Sequence, residues 1–384
     1  MSSPLYIAGG SLLPLSVDER DLYLDEAGNV SACLRQCPAY CTTPLLEMPA
    51  TSVAQLGIRT LWVKDESERF GIDSFKALGG AYAVIRIAAQ RIGVDLDSLT
   101  DLEALKRCGA GLVICAATDG NHGRAVAVGA RLIGARCIIF VHEHVAESRR
   151  SLLRAAGAEL RIIEGHYDDA VEACRSAAKR EGWQLVADVA LAGEDTTVAR
   201  SVAHGYLTIA DEFQRQLQGA IPTHVFLQAG VGGLAAAMVA SMASFGWKDT
   251  RVIIVEPSAA ACLRVAAELG SPTRLKGDID SVMGMLSCGE ASAAAWPILK
   301  DRVFGYLTLA ETAALPAARW LEQHCDARHL QVGLSGAAGL AGLLMTTGDT
   351  DIRARLGLDQ DARVLVIATE RDVDGLLAHA EAEL

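Results

Sequence analysis

From residue 111 onward, short runs of aliphatic and β-branched residues alternate with longer stretches whose apolar side chains recur every three or four positions. The strand-like runs are residues 111–117, 136–141, 159–164 and 184–187; the helix-like stretches between them are 122–132, 145–155 and 168–181. Buried strands separated by amphipathic helices predict a parallel sheet built from βαβ crossovers. The alternation resumes with a long helix at 201–217 and strands at 223–228, 251–256 and 363–369. Upstream, 59–64 reads as a strand and 75–93 as a helix, apolar at Leu78, Tyr82, Ile85 and Ala89. Residues 1–58 read as a leader of mixed turns, with an extended, helix-averse stretch at Thr42-Thr43-Pro44-Leu45. The expected fold is α/β, with two doubly wound domains and mostly parallel sheets. The break near residue 200 predicts a small domain (89–199) enclosed by a large one (1–88 and 200–384).

Composition narrows the function classes. With 384 residues, 51% hydrophobic and 21% charged, the chain is long enough for two globular domains. A net charge of −12 argues against a nucleic-acid partner. The longest apolar run, 231–245, is too short to span a bilayer. The first residues carry no positive region of a signal peptide, so a cytoplasmic protein is expected. Ten cysteines in a chain this long do not make a disulfide scaffold. Cys33, Cys37 and Cys41 lack a common zinc spacing, and His142 and His144 lack a third ligand, so no metal site is expected. Whether Cys262 and Cys288 pair is left open.

Candidate chemistry centres on Arg69-Phe70-Gly71-Ile72-Asp73-Ser74-Phe75-Lys76-Ala77-Leu78-Gly79-Gly80, where a polar turn runs into a small apolar helix start. An apolar pocket lowers a lysine pKa, and a neutral Lys76 forms a Schiff base with an aldehyde; an exposed lysine lying along a helix start is the plainer reading. Asp119-Gly120-Asn121-His122-Gly123-Arg124 joins a strand to a helix, where α/β sheets bind ligands. Taken alone, its Asp, Asn and His fit turn and cap positions. Gly230-Val231-Gly232-Gly233-Leu234 opens a helix after a strand, and bare N–H groups there bind phosphate. Gly230, Gly232 and Ala235 also fit a dinucleotide fingerprint, with Glu256 placed for a ribose, so this loop alone does not separate the two ligands. Asp188 and Thr369 each close a strand-like run, and a capping carboxylate and a strand-ending threonine are their plain readings.

In this order the lysine, the asparagine turn, the glycine loop and the late threonine resemble the tryptophan-synthase-β-like (fold type II) pyridoxal-phosphate enzymes. Within them the chain is most similar to the diaminopropionate ammonia-lyase family. That likeness spans roughly residues 40 to 375 and includes Gly205-Tyr206-Leu207-Thr208 and Cys288-Gly289-Glu290. The resemblance implies pyridoxal phosphate held by Lys76, with Phe75 beside it, Asn121 on the ring 3-oxygen, residues 230–234 around the phosphate and Thr369 at the ring nitrogen. It implies Asp119 and Asp188 as proton acceptors for D- and L-substrates, β-elimination of 2,3-diaminopropionate to pyruvate and ammonia, and a homodimer. Leu334, Arg371 and the run Val189-Ala190-Leu191 depart from the family pattern, which leaves other β-substituted amino acids open. Another fold type II dehydratase or β-replacing synthase is the near alternative, an NAD-dependent oxidoreductase the remote one. A degenerate, non-enzymatic member is the last.

Overall fold

A computed structural model describes residues 3–24, 27–93, 96, 106–107, 109–118, 120–325, 330–373 and 375. In chain order its strands are β1 Leu5–Ile7, β2 Leu45–Glu47, β3 Thr60–Asp65, β4 Val113–Ala117, β5 Arg136–His142, β6 Glu159–Ile163, β7 Gln184–Leu185, β8 His224–Gln228, β9 Arg251–Pro257, β10 Gly305–Leu309 and β11 Arg363–Ala368. Its helices are α1 Val17–Tyr23, α2 Ala27–Arg35, α3 Ala50–Gln55, α4 Lys76–Ile92, α5 Asn121–Leu132, α6 Glu147–Ala156, α7 Tyr167–Glu181, α8 Thr197–Gln216, α9 Gly233–Ser244, α10 Cys262–Leu269, α11 Trp296–Leu299, α12 Ala314–His324, α13 Leu334–Gly348 and α14 Thr350–Leu356.

Two sheets form. The larger runs β1-β10-β9-β8-β11-β3-β2, parallel except at its two edges; the smaller runs β6-β5-β4-β7, all parallel. Alternation along the large strands sends successive side chains to opposite faces. Val225, Leu227, Val252, Ile254, Leu365 and Ile367 pack with α4, α8 and α9 on one face. Phe226, Ile253, Val364 and Val366 pack with α12 and α13 on the other. The first of these cores continues through α4 and α5 into the small sheet at Ile114 and Ile139. No helix among the described residues is long and apolar enough to cross a membrane.

The predicted alternation matches the observed elements from β4 to β9, with β7 shorter than read. The leader is corrected. It holds β1, paired antiparallel with β10, and β2, paired antiparallel with β3, besides two short helices and α3. Three-residue edge strands carry too little periodicity to read, and their partners are distant in sequence. Strand β10 and helix α13 were also unread, because Leu334–Gly348 is apolar all round and shows no helical stripe.

One feature fixes the turn that carries the key lysine. Lys64, Glu66, Arg69 and Glu212 have no exposed side-chain surface. Arg69 Nη2 donates to Glu212 Oε2 at 2.7 Å, Arg69 Nε to Glu66 Oε2 at 2.7 Å, and Lys64 Nζ to Glu212 Oε2 at 2.6 Å. Tyr40 Oη donates to Glu212 Oε1 at 2.6 Å, and Arg69 Nη1 donates to the Cys41 carbonyl at 2.7 Å, which tethers the N-terminal arm. Burial opposes charge on Glu212, but the Arg69 and Lys64 cations hold its carboxyl down at about 2. Breaking such a network strands buried charge. We expect Glu212→Ala to cost about 3–5 kcal/mol of folding free energy in urea titration. Arg136→Ala, at the exposed pair with Glu159, should leave the unfolding midpoint unchanged.

Candidate active site

The candidate residues converge where the carboxyl ends of the two sheets meet. Lys76 is the first residue of α4, reached from β3 through a turn with positive φ at Phe70 (56°), Gly71 (65°) and Asp73 (59°). The Phe75 N–H donates to the Thr369 carbonyl at 3.0 Å and the Arg371 N–H to the Asp73 carbonyl at 2.9 Å, stitching the turn to the end of β11. From the small sheet come Asn121, at the start of α5 just after β4, and Asp188, in the loop three residues beyond β7.

Lys76 Nζ lies 2.5 Å from Asp188 Oδ2, and the two side chains keep 22% and 24% of their surface exposed. This corrects the expectation of a lysine neutralised by burial. Burial does oppose its charge, but the Asp188 carboxylate more than offsets that and raises Lys76 above the ordinary lysine range. Asp188 moves the other way: burial opposes its charge, yet His122 and Lys76 hold it well below the usual carboxylate range. His122 Nδ1 stands 3.9 Å from Asp188 Oδ2, and its Nε2 meets the Val186 carbonyl at 2.9 Å. Asp119 lies outside the described residues.

Asn121 is buried and joins the two sheets. Its Nδ2 donates to Glu370 Oε2 at 2.7 Å, and its Oδ1 accepts from Arg124 Nη1 at 3.2 Å. Thr369 follows β11, and its Oγ1 accepts from Gln228 Nε2 at 3.1 Å. That bond occupies an oxygen lone pair, so the hydroxyl hydrogen is available to donate. A cavity of about 290 Å³ opens beside this pair of strand ends, with Asn121, Arg149, Met285, Leu334, Glu370 and Arg371 on its walls.

The glycine loop between β8 and α9 turns at Gly232, whose φ is 99°. A Cβ at Gly230 would lie 2.7 Å from Cys288 Sγ, so only glycine fits there without a shift. Cys262 Sγ donates to the Gly230 carbonyl at 3.4 Å, and both cysteines are free thiols. At Gly233, Leu234 and Ala235 the first turn of α9 presents N–H groups with no carbonyl inside the helix to bond. Such a turn can seat an anion. Glu256 does not serve a ribose: its carboxylate is fully buried and accepts the Leu263 and Arg264 N–H groups at 2.7 and 2.9 Å, capping α10. Burial pushes its carboxyl up to about 8. The loop is therefore left with a phosphate ester and the dinucleotide reading loses its acid.

Four residues of this site were missed from sequence: Glu370, Gln228, Cys288 and Tyr206. The Tyr206 ring packs tilted, at 52°, against Phe75 with the ring centres 4.8 Å apart, and its buried hydroxyl has no hydrogen-bond partner among the described residues. Its only sequence signal was its place in the Gly205-Tyr206-Leu207-Thr208 run. An amine, a helix N-terminus, a neutral hydroxyl donor and an orphaned phenol suit an aromatic aldehyde bearing a phosphate, so the residues present fit pyridoxal phosphate.

Comparison with known proteins agrees. The model of the pyridoxal-phosphate dependent enzyme family matches residues 37–370. Diaminopropionate ammonia-lyase of Escherichia coli is 33% identical over 343 residues, covering 87% of this chain and 85% of that protein. The Salmonella typhimurium enzyme of the same name is 34% identical over 364 residues, covering 89% and 88%. A crystal structure of the E. coli enzyme in complex with an aminoacrylate–PLP azomethine reaction intermediate superposes with a TM-score of 0.86 at 29% identity, covering 98% of this chain and 97% of that one.

The Glu256 carboxyl yields a stability test. Its ordinary value is 4.5 and its folded value about 8, so between them the folded state carries the extra proton. Stability then falls as pH rises through that window. Glu256→Gln should flatten this slope in urea titrations across the window; an unchanged slope would assign the effect to another group.

Proposed function

The chain belongs to the pyridoxal-phosphate dependent enzymes and, within them, to the diaminopropionate ammonia-lyase family, and on that premise we propose that it converts D- and L-2,3-diaminopropionate to pyruvate and ammonia. It is a fold type II, PLP-dependent lyase working by β-elimination. The observation that carries the substrate reading is the Lys76–Asp188 pair, an amine and an ionised carboxylate held 2.5 Å apart at the junction of the sheets. We read residues 89–199 as a small domain set into a large one of 1–88 and 200–384. The supply of site residues from both sheets supports that division.

Bound pyridoxal phosphate supplies an electron sink that makes the substrate α-proton acidic. In our reading Lys76 anchors it by its amine, the N–H groups after Gly232 hold its phosphate, and Asn121 orients its ring. Thr369 donates a neutral hydrogen bond to the ring nitrogen, which stabilises a ring cation less than a carboxylate would and suits elimination. Asp188, ionised and facing the cleft, takes the α-proton of the L-isomer at Oδ2, and Asp119 that of the D-isomer. Amines leave poorly unless protonated. A proton on Asp188 has Lys76 Nζ within hydrogen-bond reach, which supports this pair as the route by which the departing amine gains it.

A second reading rests on the cavity wall. Leu334 and Arg371, two of the residues that depart from the family pattern, stand there beside Arg149, Glu370 and Asp372. That supports a different β-substituted amino acid as the substrate.

Three measurements test these readings. The purified protein should absorb as a Schiff base that borohydride reduces, and Lys76→Ala should lose it. Release of the 2-oxo acid, pyruvate from D- and L-diaminopropionate and serine and 2-oxobutanoate from threonine, should favour diaminopropionate; turnover of serine alone would overturn that substrate. Asp188→Asn should slow the L-isomer by about 10²-fold or more and the D-isomer less, whereas equal losses would refute the two-acid assignment.

A further inference from the structure

We propose that the Tyr206 hydroxyl is a phosphate ligand: it donates to the anion seated at the N-terminus of α9 and completes the cup that the glycine loop begins. This inference rests on the cofactor reading above and adds a side-chain donor to a site otherwise made of backbone.

Tyr206 is 2% exposed, on the stretch of α8 that packs against α4. A Cβ added at Gly79 would lie 2.6 Å from its Cε1 and 2.7 Å from its Cζ, so α4 touches the phenol near its tip. A Cβ at Gly233, the first residue of α9, would lie 3.8 Å from Cε2. With Phe75 packed against it at a tilt, ring centres 4.8 Å apart, the ring is fixed between the helix that starts with the lysine and the helix that starts with the glycine loop. Its hydroxyl has no hydrogen-bond partner among the described residues.

A buried hydroxyl without a partner costs free energy, and native structures keep such groups for a reason. The ring cannot turn to water, so the partner must come to it. Nearby protein groups do not fill that role: an ammonium at Lys76 has no lone pair to offer, and the Asp188 carboxylate makes no hydrogen bond to the phenol. Burial raises the Tyr206 phenol above its ordinary range, so it stays a donor at any physiological pH. The remaining acceptor is one bound beside Gly233, where the α9 N–H groups already draw an anion. Tyr206→Phe removes the donor and nothing else of the ring.

The test titrates the full-length protein and its Tyr206→Phe variant with pyridoxal phosphate and with pyridoxal, which lacks the phosphate, following Schiff-base absorbance. Inorganic phosphate serves as a competitor. The proposal expects the variant to bind pyridoxal phosphate about tenfold more weakly or worse, as for a lost hydrogen bond to a charged group. Its affinity for pyridoxal should be unchanged, and inorganic phosphate should protect it less. Melting of the cofactor-free variant should be no lower than that of the wild type, since an unpaired buried hydroxyl has been removed. Equal weakening for both ligands would assign the hydroxyl to the ring or to Lys76 and overturn the proposal, as would no weakening for either. Wild-type protein that takes up neither ligand would sink the cofactor reading itself, a result distinct from those two.

Discussion

Everything in the site hangs on four charges placed where water cannot reach them. Lys64, Glu66, Arg69 and Glu212 balance to zero, and each is paired before it is buried, as burial of ions requires. What they fix is a turn that the chain would not adopt unaided. Two non-glycine residues between Arg69 and Lys76 sit at positive φ, a conformation that costs free energy for side chains with a Cβ. Arg69 at its start is clamped to Glu66, just after β3, and to Glu212 on α8, and Phe75 at its end donates to the Thr369 carbonyl just after β11. Lys76 is thereby positioned from both sides.

At the site, two polar contacts of different kind join the parts of the chain that carry the two sheets. Asn121 with Glu370 is a neutral amide on a carboxylate, suited to holding a ring in place. Lys76 with Asp188 is an ion pair, suited to storing and passing a proton. Position and chemistry are thus divided between neighbouring bridges. Gln228 acts behind them, tying the Thr369 hydroxyl to the Gly336 and Ile367 carbonyls so that it faces one way.

Much of this was legible in the chain. Alternating β-branched runs and amphipathic helices gave the parallel sheets because burial on both faces leaves that imprint on every strand. Lys76, Asn121 and the glycine loop were legible because each is a local motif at a strand-to-helix junction. What stayed hidden was long-range. Lys76 and Asp188 are far apart in sequence, and nothing near Lys76 signals the carboxylate that reverses its expected titration. Glu256 misled for the same reason: it ends a strand where a ribose acid belongs, and only the fold of α10 back onto it shows that its lone pairs are spent. Helix α13 was unread because a helix apolar on every side has no periodic face.

The contact between α4, α5 and α8 is made by backbone. A Cβ at Gly80 would lie 2.5 Å from that of Ala125, and one at Gly205 would lie 2.4 Å from the Leu78 carbonyl. The spacing that seats the lysine is therefore set by the absence of side chains, and no enlargement at these positions can be absorbed by a rotamer. Backbone against backbone thus fixes where α4 begins, and with it the place of the Lys76 amine, before any side chain of the site is chosen.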